Sequence, residues 1–333
     1  MSYKIMSFNV QNLSASASSD KLDIIAKIVQ KYEVDIVALQ EVLDEGKVLT
    51  GINLKSVSGA AKAYEHSLKR RLGNDWAMCW RDPHTRAKDY VYLGIDKRGE
   101  GYAFLWNTSR VDLLVEDGRQ VFPRIYRNYK VNTSNDLIRL IRDPCYGQFK
   151  INNRPVEIRL LTTHIVYGKP SAENISADLD YGAVTMRRNE FQILAGQIYP
   201  RISKFHKQTS CTSAYTIILG DYNLNLPSSG VGKALLPEIM CFDEKGNNVA
   251  FSFDNNSYMI NNVQSRLSTI NANGDSLASN YDHFSYNNKV ASRIDLNGIK
   301  VVSPYDIFMD DNSIKEFKEK VSDHLPIILC IDI

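Results

Sequence analysis

The sequence predicts an α/β fold in which two packed, mixed β-sheets are flanked by helices, and three observations carry that expectation. Strand and helix patterns alternate near the N-terminus, as they do when helices cover the faces of a sheet. Further along, strand patterns follow one another directly, which a purely parallel sheet does not allow. One early strand, Ile36-Val37-Ala38-Leu39, is apolar on both faces and so belongs inside a sheet covered on both sides.

Taken in order, Tyr3–Asn9 alternates apolar and polar residues and reads as a strand. Leu22, Ile25, Ile28 and Val29 then recur at helical spacing within 21–32, with Asp20 placed to cap them. The doubly apolar strand spans 35–40, and Glu41 stands at its end. A helix is predicted over 60–72, strands over 102–106, 111–115 and 156–163, a helix over 184–203, and strands over 215–219, 282–286 and 327–331. Ser14–Ser19 is a short loop. No repeat, low-complexity tract or long Pro/Gly/Ser linker interrupts the chain, so residues 1–333 are expected to form one domain.

The 333 residues can bury a large core. An apolar fraction of 44% and a charged fraction of 23% exclude disordered and fibrous classes. The net charge of +2 does not diagnose a nucleic-acid binder, but the charge is uneven. Arg119–Arg159 holds nine Lys/Arg against three Asp/Glu, and from Glu238 to the C-terminus eight face fourteen. Such a chain suits a polyanion beside a carboxylate-bound cation, while solvated surface charge accounts equally for any single residue. The five cysteines, Cys79, Cys145, Cys211, Cys241 and Cys330, lack C-x-x-C spacing, which argues against a cysteine zinc site or disulfide framework and for a reducing compartment. The chain opens on a strand pattern rather than a signal sequence, and no apolar stretch reaches bilayer length. A cytoplasmic location is expected.

The polar residues of interest lie at strand ends. Asn9 ends the first strand, Glu41 the next, and His164 follows Leu160-Leu161-Thr162-Thr163. Asp221 and Asn223 follow the 215–220 run, Asp282 opens a strand after Tyr281, and Asp323-His324 precede the last strand. A rigid scaffold presents catalytic groups at such ends. Carboxylates and carboxamides are hard oxygen donors suited to Mg2+ or Mn2+. With two imidazoles they meet the needs of phosphodiester hydrolysis: charge neutralisation, an activated water and a stabilised leaving oxygen. Each string alone has a plainer explanation, since Gly-Asp-x-Asn is a common turn. It is their number and order that carries weight. His66, His84, His206 and His283 lack this context and read as structural.

Ser7-Phe8-Asn9-Val10, Leu39-Gln40-Glu41-Val42, Thr163-His164, Gly220-Asp221-Tyr222-Asn223, Tyr281-Asp282 and Ser322-Asp323-His324 together resemble the endonuclease/exonuclease/phosphatase superfamily. Glu100-Gly101-Tyr102-Ala103-Phe104-Leu105 and Arg142-Asp143-Pro144 are most similar to its deoxyribonuclease I-like branch. The resemblance implies a four-layer α/β-sandwich and a set of roles. Glu41, Asn9 and Asp323 would hold Mg2+ (or Mn2+); Asp221 and Asn223 would position phosphate, metal or water; His164 and His324 would be the acid/base pair, oriented by Glu100 and Asp282. Arg142, Asn223 and Tyr102 would bind substrate. Arg293-Ile294-Asp295 resembles a string that some members use at the position assigned to Asp282; Asp282 is preferred because it opens an apolar strand, while Asp295 leads into Asn297-Gly298, a turn signal.

The chain departs from that branch where the branch carries two arginines and a groove-contacting tyrosine, since Gln11, Leu43 and Arg98 stand there. Insertions are expected at about 46–90 and 168–181. The first contains Lys69-Arg70-Arg71, Arg81 and Lys88 with Trp76 and Trp80, which would either stack and bind single strands or be core and solvated surface. The expected function is a metal-dependent endonuclease acting on DNA, with RNA or single-stranded DNA as further substrates. The alternatives are a phosphoinositide phosphatase or sphingomyelinase-type phosphodiesterase, or a non-catalytic binding protein on the same fold.

Overall fold

The computed structural model describes residues 1–13, 17–43, 67–81, 100–127, 140, 142–165, 187, 190–191, 193–204, 211–224, 239–242, 248–251, 259–260, 267–310 and 312–333. The strands in chain order are β1 (Ser2–Leu13), β2 (Ile36–Val42), β3 (Trp76–Arg81), β4 (Gly101–Asn107), β5 (Val111–Leu113), β6 (Val115–Glu116), β7 (Arg119–Gln120), β8 (Arg124–Ile125), β9 (Cys145–Ile151), β10 (Val156–His164), β11 (Ser213–Asp221), β12 (Ile239–Phe242), β13 (Asn248–Phe251), β14 (Met259–Ile260), β15 (Asp282–Tyr286), β16 (Ile294–Val301) and β17 (Ile327–Asp332). Among the described residues one sheet has the order β16-β17-β1-β2-β4-β3, and the other β14-β15-β11-β10-β9-β5 with β8 also on β9. Both are mixed: β1 with β2 and β10 with β11 are parallel, and their remaining pairings are antiparallel.

Apolar alternation explains how the layers stack. In β2, Ile36 and Ala38 face the inter-sheet core, which also holds Ile5, Phe104, Phe149, Leu160, Ile217 and Leu329. Val37 and Leu39 face outward onto Leu22, Ile25 and Val29 of helix α1 (Ser19–Lys31) and onto Phe317. In the second sheet Leu160 and Ile217 point inward, while Leu161 and Ile218 meet Phe191, Leu194 and Ile198. The layers therefore run helix, sheet, sheet, helix. Each such Val, Leu, Ile or Phe side chain contributes about 1.5–3 kcal/mol on burial, and a slip of one residue would turn every one to the wrong face. That arithmetic fixes the register which later places the polar residues.

The strands expected at 3–9, 35–40, 102–106, 156–163, 215–219, 282–286 and 327–331 lie within β1, β2, β4, β10, β11, β15 and β17. The strand expected over 111–115 is broken at Leu114, whose N–H donates to the Gln148 carbonyl at 3.0 Å. Ser18, not Asp20, caps α1, its hydroxyl accepting from the Lys21 N–H. Of the helix over 60–72, Leu68–Leu72 is found, and 60–66 lie outside the described residues. The end of the 184–203 helix contains a π-helical turn, Leu194–Ile198, before Tyr199–Ser203. Eight strands, β3, β7, β8, β9, β12, β13, β14 and β16, lie outside the expected ranges, and three of them bear on the reading. β9 buries Gln148 among apolar residues, β16 carries the Asn297-Gly298 turn signal and keeps it as a register shift between Ile294 and Ile299, and β3 was read as a basic, aromatic insertion.

β3 is the edge strand of its sheet and pairs with β4. Trp76 is buried, and the Trp80 indole N–H donates to the Val42 carbonyl at 2.9 Å. These rings lie on the edge strand of a sheet, Trp80 half-buried, and Arg71 is tied to Asp23 of α1. Residues 44–66, 82–99 and 166–186, which include Arg98, His66, His84 and the 168–181 insertion, lie outside the described residues, as does His206. No helix among the described residues is long and apolar enough to cross a membrane.

His283 is structural, as expected. It is fully buried beside Tyr222, with Nε2 2.8 Å from the Leu224 carbonyl. Burial pushes it down to about 4, against the raising effect of its backbone bonds. The unfolded chain therefore takes up this proton near pH 6.5 and the folded chain only near pH 4. Acidification through that window removes about 3 kcal/mol of stability. Urea titrations at pH 7 and pH 5 should show His283→Gln losing this part of the pH dependence; an unchanged dependence would assign it to other groups.

Candidate active site

Strand direction decides where the polar residues meet. The parallel pairs β1/β2 and β10/β11 lie in different sheets and end at the same rim of the sandwich, so Asn9, Glu41, His164 and Asp221 arrive together. Antiparallel neighbours begin at that rim: β4 just after Glu100, β9 just after Arg142, β15 at Asp282 and β17 after Asp323-His324. In register, Asn9 pairs with Gln40, His164 with Asp221, and Asp221 with Asp282. Gly220 lets β10 and β11 close here. Its φ is +140°, and a Cβ would sit 1.9 Å from the Thr163 carbonyl oxygen.

Two His–carboxylate pairs converge on one oxygen. His164 Nδ1 is 3.2 Å from Glu100 Oε2, and its Nε2 is 3.5 Å from Asp221 Oδ2. His324 Nδ1 is 2.9 Å from Asp282 Oδ2, and its Nε2 is 3.6 Å from the same Asp221 Oδ2. Asn9 Nδ2 donates to both Asp221 Oδ2 and Glu41 Oε1 at 3.0 Å. Asn223 donates its N–H to Asp221 Oδ1 at 2.8 Å and its carboxamide to the Ile165 carbonyl at 2.7 Å.

The electrostatics split the two imidazoles. Burial, helped by Arg142, pushes His164 down to about 4 against the pull of Asp221 and Glu41, so at neutral pH it is an uncharged acceptor. For His324 burial also opposes charge, but Asp282 and Asp221 outweigh it and raise the ring to about 10. Burial raises the Asp221 carboxyl, with His324 and His164 acting against it. Lys21, close to Glu41 and Asp323, is lowered to about 8 by burial while those two carboxylates pull it up. A charged and a neutral imidazole on either side of one carboxylate is an arrangement able to give and accept a proton.

Backbone strain collects at the same place. β1 does not end at Asn9; it continues through a bulge in which Gln11 and Asn12 have φ of 42° and 55°, and Glu41 has φ 58° within β2. Left-handed conformation in non-glycine residues costs about 1–3 kcal/mol and marks sites the surroundings over-determine. The bulge aims the Asn12 N–H at Glu41 Oε2, at 3.0 Å.

Two expected roles change with position. Tyr102, expected to touch substrate, is only 1% exposed, and its hydroxyl accepts the His164 N–H at 3.2 Å. It supports His164 from the core. Tyr102→Phe should therefore lower stability by about 1–3 kcal/mol by stranding that buried N–H; a raised KM at unchanged stability would restore the substrate contact. Asn9, expected as a cation ligand, spends Oδ1 on the Gln11 N–H at 3.0 Å and turns its nitrogen to the carboxylates, so it spaces Glu41 from Asp221. Asp282 lies at the rim with its Oδ2 2.9 Å from His324 Nδ1, and Asp295 sits on the edge strand β16. Arg142 is buried with Nη2 2.6 Å from Glu100 Oε2. Two supporting residues carried no signal of their own: Ser268, whose hydroxyl donates to Asp282 Oδ2 at 2.8 Å, and Lys21. Ser322 could have been read from its place before Asp323-His324; its hydroxyl donates to the Asn9 carbonyl and accepts the His324 N–H.

The donor set suits a divalent cation. Glu41, Glu100 and His164, and separately Asp221, Asp282 and His324, each bring one ligand atom per residue within 4.8 Å of one another. Carboxylate oxygens dominate both groups, the chemistry Mg2+ and Mn2+ prefer.

The model of the Endonuclease/Exonuclease/phosphatase family matches residues 6–324. No curated protein matches the chain by sequence. Among solved structures, D. rerio TDP2 complexed with single strand DNA product superposes with a TM-score of 0.54 at 14% identity, over 100% of this chain and 99% of that one. A family protein from Leptotrichia buccalis C-1013-b gives 0.53 at 16% identity, over 99% and 100%. One from Bacteroides thetaiotaomicron gives 0.51 at 13%, over 100% and 99%. At these identities the likeness is one of fold, and the expected four-layer α/β-sandwich is the fold shared.

Proposed function

Because the chain belongs to the endonuclease/exonuclease/phosphatase family, whose members hydrolyse phosphodiesters or phosphate esters with divalent metals, we propose that it is a metal-dependent nuclease that hydrolyses DNA. The observation that carries this reading is the convergence of His164 Nε2 and His324 Nε2 on Asp221 Oδ2, at 3.5 Å and 3.6 Å. His324 Nδ1 is hydrogen-bonded to Asp282, which fixes its tautomer and orientation, and Glu100 lies 3.2 Å from His164 Nδ1.

Glu41 and Asp323 would hold Mg2+ or Mn2+, with Asn9 and the Asn12 N–H orienting Glu41. The bound cation would neutralise charge on the phosphoryl oxygens. His164, uncharged, accepts a proton from the attacking water as its oxygen bonds to phosphorus; Glu100 holds the opposite ring nitrogen. His324, charged, gives its proton to the leaving oxygen as the P–O bond breaks, and Asp282 stabilises it. Asp221 and Asn223 place the water and phosphate between the rings. Arg142 stands beside Glu100 at the rim, Nη2 2.6 Å from Oε2, and a guanidinium there is the group of the site suited to a phosphate contact. A DNA substrate is supported by the basic excess of Arg119–Arg159, in which Arg119, Arg124 and Arg127 are exposed while Arg159 is buried against Glu157. D. rerio TDP2 has been solved with single strand DNA product on the same fold, so single strands rank beside duplex as the form cut here.

The test is to incubate the purified protein and its His164→Ala variant with supercoiled plasmid, single-stranded DNA and RNA, in Mg2+, Mn2+ and chelator. Cleavage that needs metal and is lost in the variant is the expected result, and the substrates rank themselves. Folded protein that cuts no nucleic acid would overturn the nuclease reading in favour of lipid phosphodiesters.

A further inference from the structure

Lys21 breaks two local preferences at once. It lies in the first turn of α1, where the helix macrodipole disfavours a cation. It is also half-buried, with its ammonium donating to the Gln11 carbonyl at 2.9 Å. Violations of local preference tend to collect where something else gains, and here the gain lies in the β1 bulge. Gln11 and Asn12 are consecutive left-handed residues that hold this conformation only if their surroundings enforce it. The candidate cation residues hang from them. The Gln11 N–H donates to Asn9 Oδ1, the Asn12 N–H to Glu41 Oε2, and Gln11 Oε1 accepts the Asp323 N–H at 3.2 Å.

We propose that Lys21 is a positioning residue for the divalent-cation site: by holding the Gln11 carbonyl it keeps the Gln11–Asn12 bulge in the shape that presents Glu41 and Asp323 to the ion. The inference rests on Glu41 and Asp323 being the cation carboxylates. It has a sign that a simple electrostatic neighbour does not share. Removing a nearby positive charge would by itself favour a second cation, whereas loosening the residues that orient a ligand weakens binding by about 10–100-fold.

The experiment measures Mn2+ binding directly, from the electron paramagnetic resonance signal of the free ion and without turnover. It compares wild type, Lys21→Met, Lys21→Gln, Lys21→Arg and Glu41→Gln, with folding followed by circular dichroism. Lys21→Met should bind Mn2+ about 10–100-fold more weakly, as should Lys21→Gln, which is uncharged and one atom shorter. Lys21→Arg should recover most of the affinity, since its fork still reaches the carbonyl. The Mg2+ needed for half-maximal cleavage should rise in the same order. If Lys21→Met does not fold, Lys21→Gln against Lys21→Arg carries the comparison. Unchanged or tighter binding on loss of Lys21, with Glu41→Gln still impaired, overturns the role of Lys21 alone. Binding that ignores Glu41→Gln overturns the cation reading and this inference with it.

Discussion

Replacing His324 with alanine should lower the rate of phosphodiester hydrolysis by roughly 10²–10⁴-fold, the usual worth of a positioned proton donor. The ring is held by Asp282 at 2.9 Å, and its other nitrogen faces Asp221. Asp282 keeps its Ser268 hydroxyl bond in the variant, and circular dichroism checks that the fold survives the loss of one partner from this buried pair. His324→Gln, which keeps a hydrogen-bonding group, should be impaired to a similar extent because it cannot deliver a proton. The double variant with His164→Ala should fall little below either single one, since groups that act as a unit are not additive. Single-turnover cleavage of plasmid is the measurement. A His324→Ala rate within about tenfold of wild type would remove His324 from proton transfer.

The largest effect on stability is expected far from the rim, at Arg159. Arg159 and Glu157 have no exposed side-chain surface, and they meet as a fork, Nε to Oε1 and Nη2 to Oε2 at 2.8 Å each. Arg159 Nη1 also donates to the Ile202 and Lys204 carbonyls, and Gln148 donates to Glu157 Oε1. The network ties β9 and β10 to the end of the outer helix. Arg159→Met leaves a buried carboxylate unpaired, and breaking such a pair costs about 3–5 kcal/mol. Urea unfolding should show that loss for Arg159→Met and recover most of it in Arg159→Met/Glu157→Leu, because a well-packed apolar pair is often as stable as the ions it replaces. A double variant as unstable as the single one would mean that the carbonyl contacts, not the stranded charge, dominate.

Much of this protein was legible before folding. Doubly apolar Ile36-Val37-Ala38-Leu39 reads as an interior strand because burial on both faces leaves no room for polar alternation. The strings around Asn9, Glu41, His164, Asp221, Asp282 and His324 stand out because each follows or precedes such a run. Less legible were the strands whose residues answer to distant partners. Gln148 looks polar, yet it is buried because Glu157 receives its amide, and Asn297-Gly298 looks like a turn, yet it lies within β16 as the irregularity between the pairs Ile294–Ile331 and Ile299–Leu329.

The layers and the residues at strand ends can be read from local pattern, because apolar periodicity and turn chemistry are properties of neighbouring residues. That those ends share one rim cannot. That follows from strand direction: one parallel pair in each sheet ends where the antiparallel strands begin, and nothing local encodes which strand will lie beside which. The same long-range pairing turned Tyr102 into the core under His164, rotated Asn9 to bridge two carboxylates, and brought Lys21 to the bulge, since each of these depends on residues far away in the chain.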